Sequence, residues 1–531
     1  MSSSTSRRSF LRHAAAFSTL GTAGPLGLSL ATMGQASAQS AGGGYQALVC
    51  IFLNGGNDAY NTVLATDTDS WGHYVDHRNP RSRDSTDTST SIALLSPGAV
   101  ANSAAAAGSP ERLGGVLPIA HSGRPANAGR QFALHPSLVR SKQLYAANRL
   151  AVLANVGPLI RPTTKANYAS EAFAKPAKLF SHNDQQSTWM SFSPEGASEG
   201  WGGRIGDLLM SGNGTGASAD IIQRSFTCIT PGNASTFLSG RSVRQYPVGL
   251  ASIPGLGAKY NNVHYVLGNA AMYNAVKSVM SASTSTNLFT KAHQQVVARA
   301  IQASDLMATA LPSNAQAPWG TSGTPSVWND PLLKYTTTAG GQATNGLALQ
   351  LQMIARIIDA NRQGSFGIRR QVFMVNMGGF DNHASQNTDH NERMLQLDHA
   401  LAYFDNVLGT MPGGDMRSQV TTFTASDFGR TFTNNGDGTD HGWGAHHLIM
   451  GGAVQGGEVY GTFPQYSTAS ASGVFSSPDQ LGNGALLPTT SVDQYAYTLG
   501  KWMGVTNTDL NSILPNLHNF NSSAYNLGFM G

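Results

Sequence analysis

The stretch ALVCIFLNGGNDAYNT, residues 47–62, constrains the fold more than any other. Its apolar run suits a buried strand, and the run then breaks into Asn54-Gly55-Gly56-Asn57-Asp58. Paired glycines let a backbone turn sharply or approach another segment closely. An aspartate just past a strand's carboxyl end stands where open α/β sheets gather their ligands. The same grammar recurs in LAVLANVG (150–157), QVFMVNMGGFDNH (371–383), QVTTFTASDFGR (419–430) and HHLIMGGAV (446–454). Helical patterns alternate with these runs. Leu347, Leu351, Ile354 and Ile358 recur at three- and four-residue spacings in 346–362, and Met394, Leu397, Leu401 and Phe404 do so in 391–411. A third long helix is expected near 288–307. Strand and helix in alternation predict a three-layer α/β/α fold with a mostly parallel central sheet and long loop insertions. No internal repeat of fixed period is present, which argues against a solenoid or propeller.

Parallel strands aim their carboxyl ends at one rim, so Asp58, Asp381 with His383, and Asp427 are expected to gather there. Crowded carboxylates repel unless a cation or shared proton neutralises them, and mixed Asp and His donors suit zinc, manganese or iron. In GGFDNHASQ (378–386), Asp381 and His383 are two apart and point the same way if the segment is extended. TASDFGRTFTNNGDGTDHGWGAHH (424–447) adds Asp427, Arg430, Asp440, His441, His446 and His447. Asp440 and His441 are adjacent and diverge, so they suit different ions. Arg430 is expected to clamp an anion in bidentate fashion, and one of His446 and His447 is expected to be structural. In AKLFSHNDQQSTWMSF (177–192), Ser181 is expected at the N-cap of a helix. There it faces free amides that suit an oxyanion, which makes it a candidate nucleophile or anion ligand.

The amino-terminal segment bears on location. SRRSFLR places Arg7 and Arg8 before Phe10 and Leu11; an apolar run follows, and Ala36-Ser37-Ala38 offers a small-residue cleavage site. These elements resemble a twin-arginine export signal over residues 1–38, cleaved after Ala38. That leaves 39–531 as one α/β domain in the periplasm or secreted. Residues 1–38 hold three arginines and no acid, so the formal net charge of +4 falls to +1 without them, which gives no ground for nucleic-acid binding. No later run is apolar enough to span a bilayer. Cys50 sits inside an apolar run, as a buried thiol does; an oxidising compartment permits a bond to Cys228, and the sequence leaves that pairing open.

FLNGGNDAYNT, GGFDNHASQ, SDFGRT followed by GTDHGWGAHH and GGAVQGGEVYG, and PTTSVDQYAYTLGKWMGV (488–505) resemble, in this order, the family catalogued as domain of unknown function 1501. That family is similar to the alkaline phosphatase and sulfatase superfamily. The resemblance implies a two-ion, metal-dependent hydrolase of phosphate or sulfate esters, with zinc first and manganese, iron or calcium as alternatives. It implies metal ligands at Asp58, Asp381, His383, Asp427, Asp440 and His441, with Ser181 as nucleophile. Arg430 with Asn61 and His182 would hold a small anionic ester. Phe428 stands where the superfamily has a histidine, so His441 is expected to compensate from the next loop. The alternatives are a catalytically silent binding or assembly protein, or a metal-dependent transferase or isomerase on the same scaffold.

Changing Arg7 and Arg8 together to Lys should block the twin-arginine translocase and leave precursor in the cytoplasm. Cell fractionation with immunoblotting reads this out, and normal export of the variant would remove the assignment.

Overall fold

The computed structural model describes residues 44–82, 84–260, 263–282 and 286–531; the expected leader at 1–38 lies outside the described residues. A nine-stranded sheet organises the chain. In chain order its strands are β1 (Gln46–Leu53), β2 (Leu150–Gly157), β3 (Cys228–Thr230), β4 (Tyr246–Pro247), β5 (Arg370–Met377), β6 (Val420–Ser426), β7 (Ala445–Met450), β8 (Val459–Tyr460) and β9 (Thr490–Ser491). Their order across the sheet is 8-2-7-6-1-5-3-4, with β9 also pairing β2. All neighbours are parallel except β7, which runs antiparallel to both β6 and β2.

Burial on both faces explains why these segments read as continuous apolar runs. In β1, Ala47, Val49, Ile51 and Leu53 enter one core while Leu48, Cys50 and Phe52 enter the other. Helices Gly346–Arg362 and Gln386–Gly409 bury their apolar sides in the first core. Helices Trp201–Leu209 and Val492–Trp502 do so in the second. The architecture is therefore mixed α/β around a mostly parallel sheet. The helix expected near 288–307 extends over Leu288–Ala310. Cys50 and Cys228 are both buried and both free, so the disulfide left open above is not formed. Among the described residues no helix is long and apolar enough to cross a membrane.

The reversal of β7 decides what reaches the site. β1, β2, β5 and β6 all end at one rim. Because β7 runs the other way, its amino end lies at that same rim, and the loop entering it arrives there too. His446 and His447 lie within β7 and are both buried, with burial lowering each imidazole to about 3. His446 Nδ1 accepts from the Asn155 amide at 3.0 Å, while His447 packs edge-on against Trp189. The expectation that one of the pair is structural thus extends to both.

Asp58 follows β1 as expected but lies in the interior, where it makes an ion pair with the guanidinium of Arg78 at the end of helix Thr68–Arg78. Arg78 also reaches the second carboxylate oxygen at 3.0 Å, Gln386 donates to Asp58 at 2.6 Å, and the Tyr60 amide donates at 3.1 Å. A carboxylate so engaged is neutralised within the protein. This corrects the reading of Asp58 as a metal ligand. Asn61 is likewise consumed, donating to the Ile92 carbonyl at 3.0 Å and accepting from Tyr74 at 2.7 Å, so it is not placed to hold a substrate.

Burial raises the Asp58 carboxyl, but the charge and hydrogen bonds of Arg78 overcome it and hold the group below its ordinary value. The pair therefore contributes fully above the unfolded value of about 3.9, and the contribution is lost as pH falls through the lower folded value. Asp58→Asn strands a buried guanidinium and should cost about 3–5 kcal/mol at neutral pH, with the deficit shrinking in acid. Urea melts of both proteins between neutral and acid pH measure this, and equal stability at neutral pH would refute the pair's structural role.

Candidate metal centre

Four side chains from three separate segments meet at the rim: His182, Asp381, His383 and His441. His182 opens helix His182–Ser191 after the long loop that leaves β2. Asp381 and His383 follow β5, and His441 lies on the short strand Thr439–His441 just before β7. Donor atoms of His182, Asp381 and His441 all lie within 4.8 Å of one another, the one such group among the described residues. His182 Nε2 is 3.4 Å from Asp381 Oδ2, and His441 Nε2 is 3.4 Å from Oδ1. His383 Nε2 stands 3.1 Å from the same Oδ1 and 3.0 Å from His441 Nε2.

The far side of each ring explains this convergence. His182 Nδ1 lies 2.7 Å from Asp427 Oδ2, and His441 Nδ1 lies 2.7 Å from the Phe180 carbonyl. A carboxylate and a carbonyl only accept, so both Nδ1 atoms carry hydrogen and both Nε2 atoms of the neutral rings present lone pairs. His383 Nδ1 faces Asp440 at 3.6 Å. Imidazoles anchored through one nitrogen and converging through the other are the arrangement of metal-binding histidines. The 3.0–3.4 Å donor separations suit a cation with bonds of about 2.0–2.2 Å, as zinc forms with nitrogen and carboxylate oxygen. Among the described residues the buried His182 Nε2 has no hydrogen-bond partner. The donor set therefore fits a divalent metal.

The glycines of the opening stretch acquire their reason here. Gly55 and Gly56 adopt φ of +115° and +85°. A Cβ on Gly55 would strike the Asp381 backbone amide, and one on Gly56 would strike the Phe428 ring. The Phe428 ring in turn packs against His182 and His441, with centroids 4.8 and 4.6 Å apart. Where a histidine was expected by resemblance, Phe428 thus supplies an apolar wall, and His441 supplies the imidazole. Phe180, whose carbonyl anchors His441, has φ of +72°, a left-handed conformation unusual for a phenylalanine.

The remaining expected residues take supporting positions. Asp427 is wholly buried and accepts from His182, from Gln186 at 2.9 Å and from the Gly55 amide at 3.2 Å, so it orients a candidate ligand from behind. Asp440 backs His383 and accepts from Asn435 at 2.8 Å. Arg430 is buried and donates to Asp381 at 2.7 Å, to the Gly55 carbonyl at 3.3 Å, and to Thr439. It therefore braces the carboxylate of a candidate ligand, and the expected anion clamp is not what this geometry provides. Burial lowers the Arg430 guanidinium, opposed by its bond to Asp381. Burial raises Asp381, but Arg430 outweighs it and holds the carboxyl low. The hydrogen bond that His182 donates to Asp427 raises His182, and burial lowers His441. Ser181 occupies the N-cap position, yet its hydroxyl donates to Asp184 at 2.9 Å and makes no capping bond. His182, expected to contact substrate, belongs to the cluster itself. Sequence reasoning missed Arg78, the Phe180 carbonyl and Gln186; only Gln186, one helical turn after His182, carried a positional signal.

No curated protein and no solved structure matches the chain. The model of a family described as protein of unknown function (DUF1501) matches residues 336–515, a span that includes Asp381, His383, Asp427, Arg430, Asp440 and His441 and excludes His182. Residues 336–515 are thus similar to DUF1501.

Proposed function

We propose that the protein is an exported metal-dependent hydrolase of phosphate or sulfate esters, built on an alkaline phosphatase-like arrangement and centred on His182, Asp381, His383 and His441. The observation that carries this reading is the convergence of anchored imidazoles on one carboxylate at an open surface. His383 and Asp381 keep nearly half of their side chains exposed, with relative accessibilities of 46% and 45%. Catalytic metal sites keep a position open to water or substrate, whereas structural sites are closed. A bound divalent ion would supply Lewis acidity toward an ester oxygen and activate water near neutral pH.

The chain's own residues prepare that centre. Asp427 and the Phe180 carbonyl fix two ring tautomers, Arg430 keeps Asp381 ionised and in place, and Phe428 excludes water from behind the rings. One four-residue cluster supports one ion where two were expected, because Asp58 is spent on Arg78 and Asp427 on His182. In hydrolysis, water adds at phosphorus or sulfur, the ester P–O or S–O bond breaks, and the alcohol departs with a proton. Attack by Ser181 is the other route within this reading, and it requires Asp184 to release the hydroxyl.

Metal analysis of the purified protein with a panel of nitrophenyl phosphate and sulfate esters tests the proposal. His441→Ala should lose both bound metal and turnover. Asp427→Asn, which removes an anchor but no ligand, should weaken metal affinity about 10–100-fold. Wild-type metal content in His441→Ala, or no hydrolysis by the metal-loaded wild type, would refute it. Ser181→Ala separates the two routes: retained metal with full turnover assigns the attack to water, and retained metal without turnover assigns it to Ser181.

A further inference from the structure

Beside the cluster lies a cleft of about 430 Å³, within the range of small-molecule sites. Asn54 ends β1's run, Asn376 lies near the end of β5, Asn233 follows β3, and Asn183 and Gln186 stand on the helix that His182 opens. Five amides from four segments thus face one space. Among the described residues Glu195 is the charged residue of its lining, and no lysine or arginine contributes. An anion entering here would meet a carboxylate and no positive charge.

The hydrogen bonds around the amides leave specific capacity unspent. Asn54 donates to Asn376 Oδ1 at 3.3 Å and to the Phe52 carbonyl at 3.3 Å, which leaves Asn54 Oδ1 to accept and Asn376 Nδ2 to donate. Gln186 donates to Asp427 at 2.9 Å, which leaves its Oε1 to accept. The oxygen it reaches is the one that holds His182 Nδ1 at 2.7 Å, so the cleft and the metal centre share a wall. Amides offer a donor and an acceptor side by side, and a hydroxyl needs both. Met190 and Ala234 add apolar surface beneath them.

We infer that this cleft is a binding subsite for a neutral polyhydroxylated group of carbohydrate type, the alcohol portion of the ester cleaved at the adjacent centre. The link to cleavage rests on the proposed hydrolase function, but occupancy of the cleft does not. Asn183 and Asn233 are exposed, and neither side chain holds a hydrogen bond within the described residues, so both can be replaced without disturbing the fold.

The test is ligand-observed NMR and calorimetry on the full protein, with and without chelator, against a panel of neutral mono- and disaccharides. At least one sugar should bind in both conditions and to His441→Ala, because the subsite does not need the metal. Asn183→Ala with Asn233→Ala should weaken that binding about tenfold while leaving metal content and the melting temperature unchanged. Inorganic phosphate and sulfate should not compete with the sugar in the chelated protein. Failure of every sugar to bind, undiminished binding by the double variant, or competition by either anion would each overturn the inference. Sugar binding without ester hydrolysis would uphold the subsite and refute the hydrolase, so the two claims fail separately.

Discussion

The buried guanidinium of Arg430 holds the rim together. It spans from Asp381 to the Gly55 carbonyl and to Thr439, and so ties the loop after β5 to the turn after β1 and to the segment entering β7. A buried cation needs a paired charge and filled hydrogen bonds, and Asp381 supplies the charge. Asp381 is fixed by a full positive charge on one side, leaving the imidazoles to approach it from the other. Without that brace, a half-exposed aspartate on a glycine-rich loop would sample many rotamers, and three histidines would have no common focus.

Much of the fold was legible because it depends on local pattern. The apolar runs gave the strands, and the three- and four-residue spacings gave the long helices, since strands buried on both faces and core-facing helices write their burial directly into sequence. The direction of β7 was not legible. Pairing sense is set by how distant segments meet, and HHLIMGGAV reads the same whether it runs with or against its neighbours. The DUF1501 match covers this strand without specifying its direction.

The candidate site was legible in residue type and not in role. Asp381, His383 and His441 stand together as the pattern suggested, but Asp58 and Asp427 look identical in sequence to ligands and face other partners. What separates them is a tertiary neighbour: Arg78 for the first, His182 for the second. A carboxylate's role depends on which donor reaches it first, and neither local spacing nor glycine content records that. The paired glycines marked close approach correctly while leaving unsaid what approaches, the Asp381 backbone and the Phe428 ring.

The donors of the cluster are widely spaced along the chain, with His182 far before β5 and Asp381, His383 and His441 after it. In the unfolded chain such groups rarely meet, so a cation bound by all four recognises the native state and barely recognises the denatured one. Its binding free energy is then added to the stability of the fold by mass action, growing as RT ln(1 + [L]/Kd). With a cation bound as proposed, the cluster would act as a removable cross-link. A nick in the long connection between helix His182–Ser191 and β5 would put its two halves on separate fragments that the pairing of β1 with β5 and β6 already joins, and a bound ion would join them a second time.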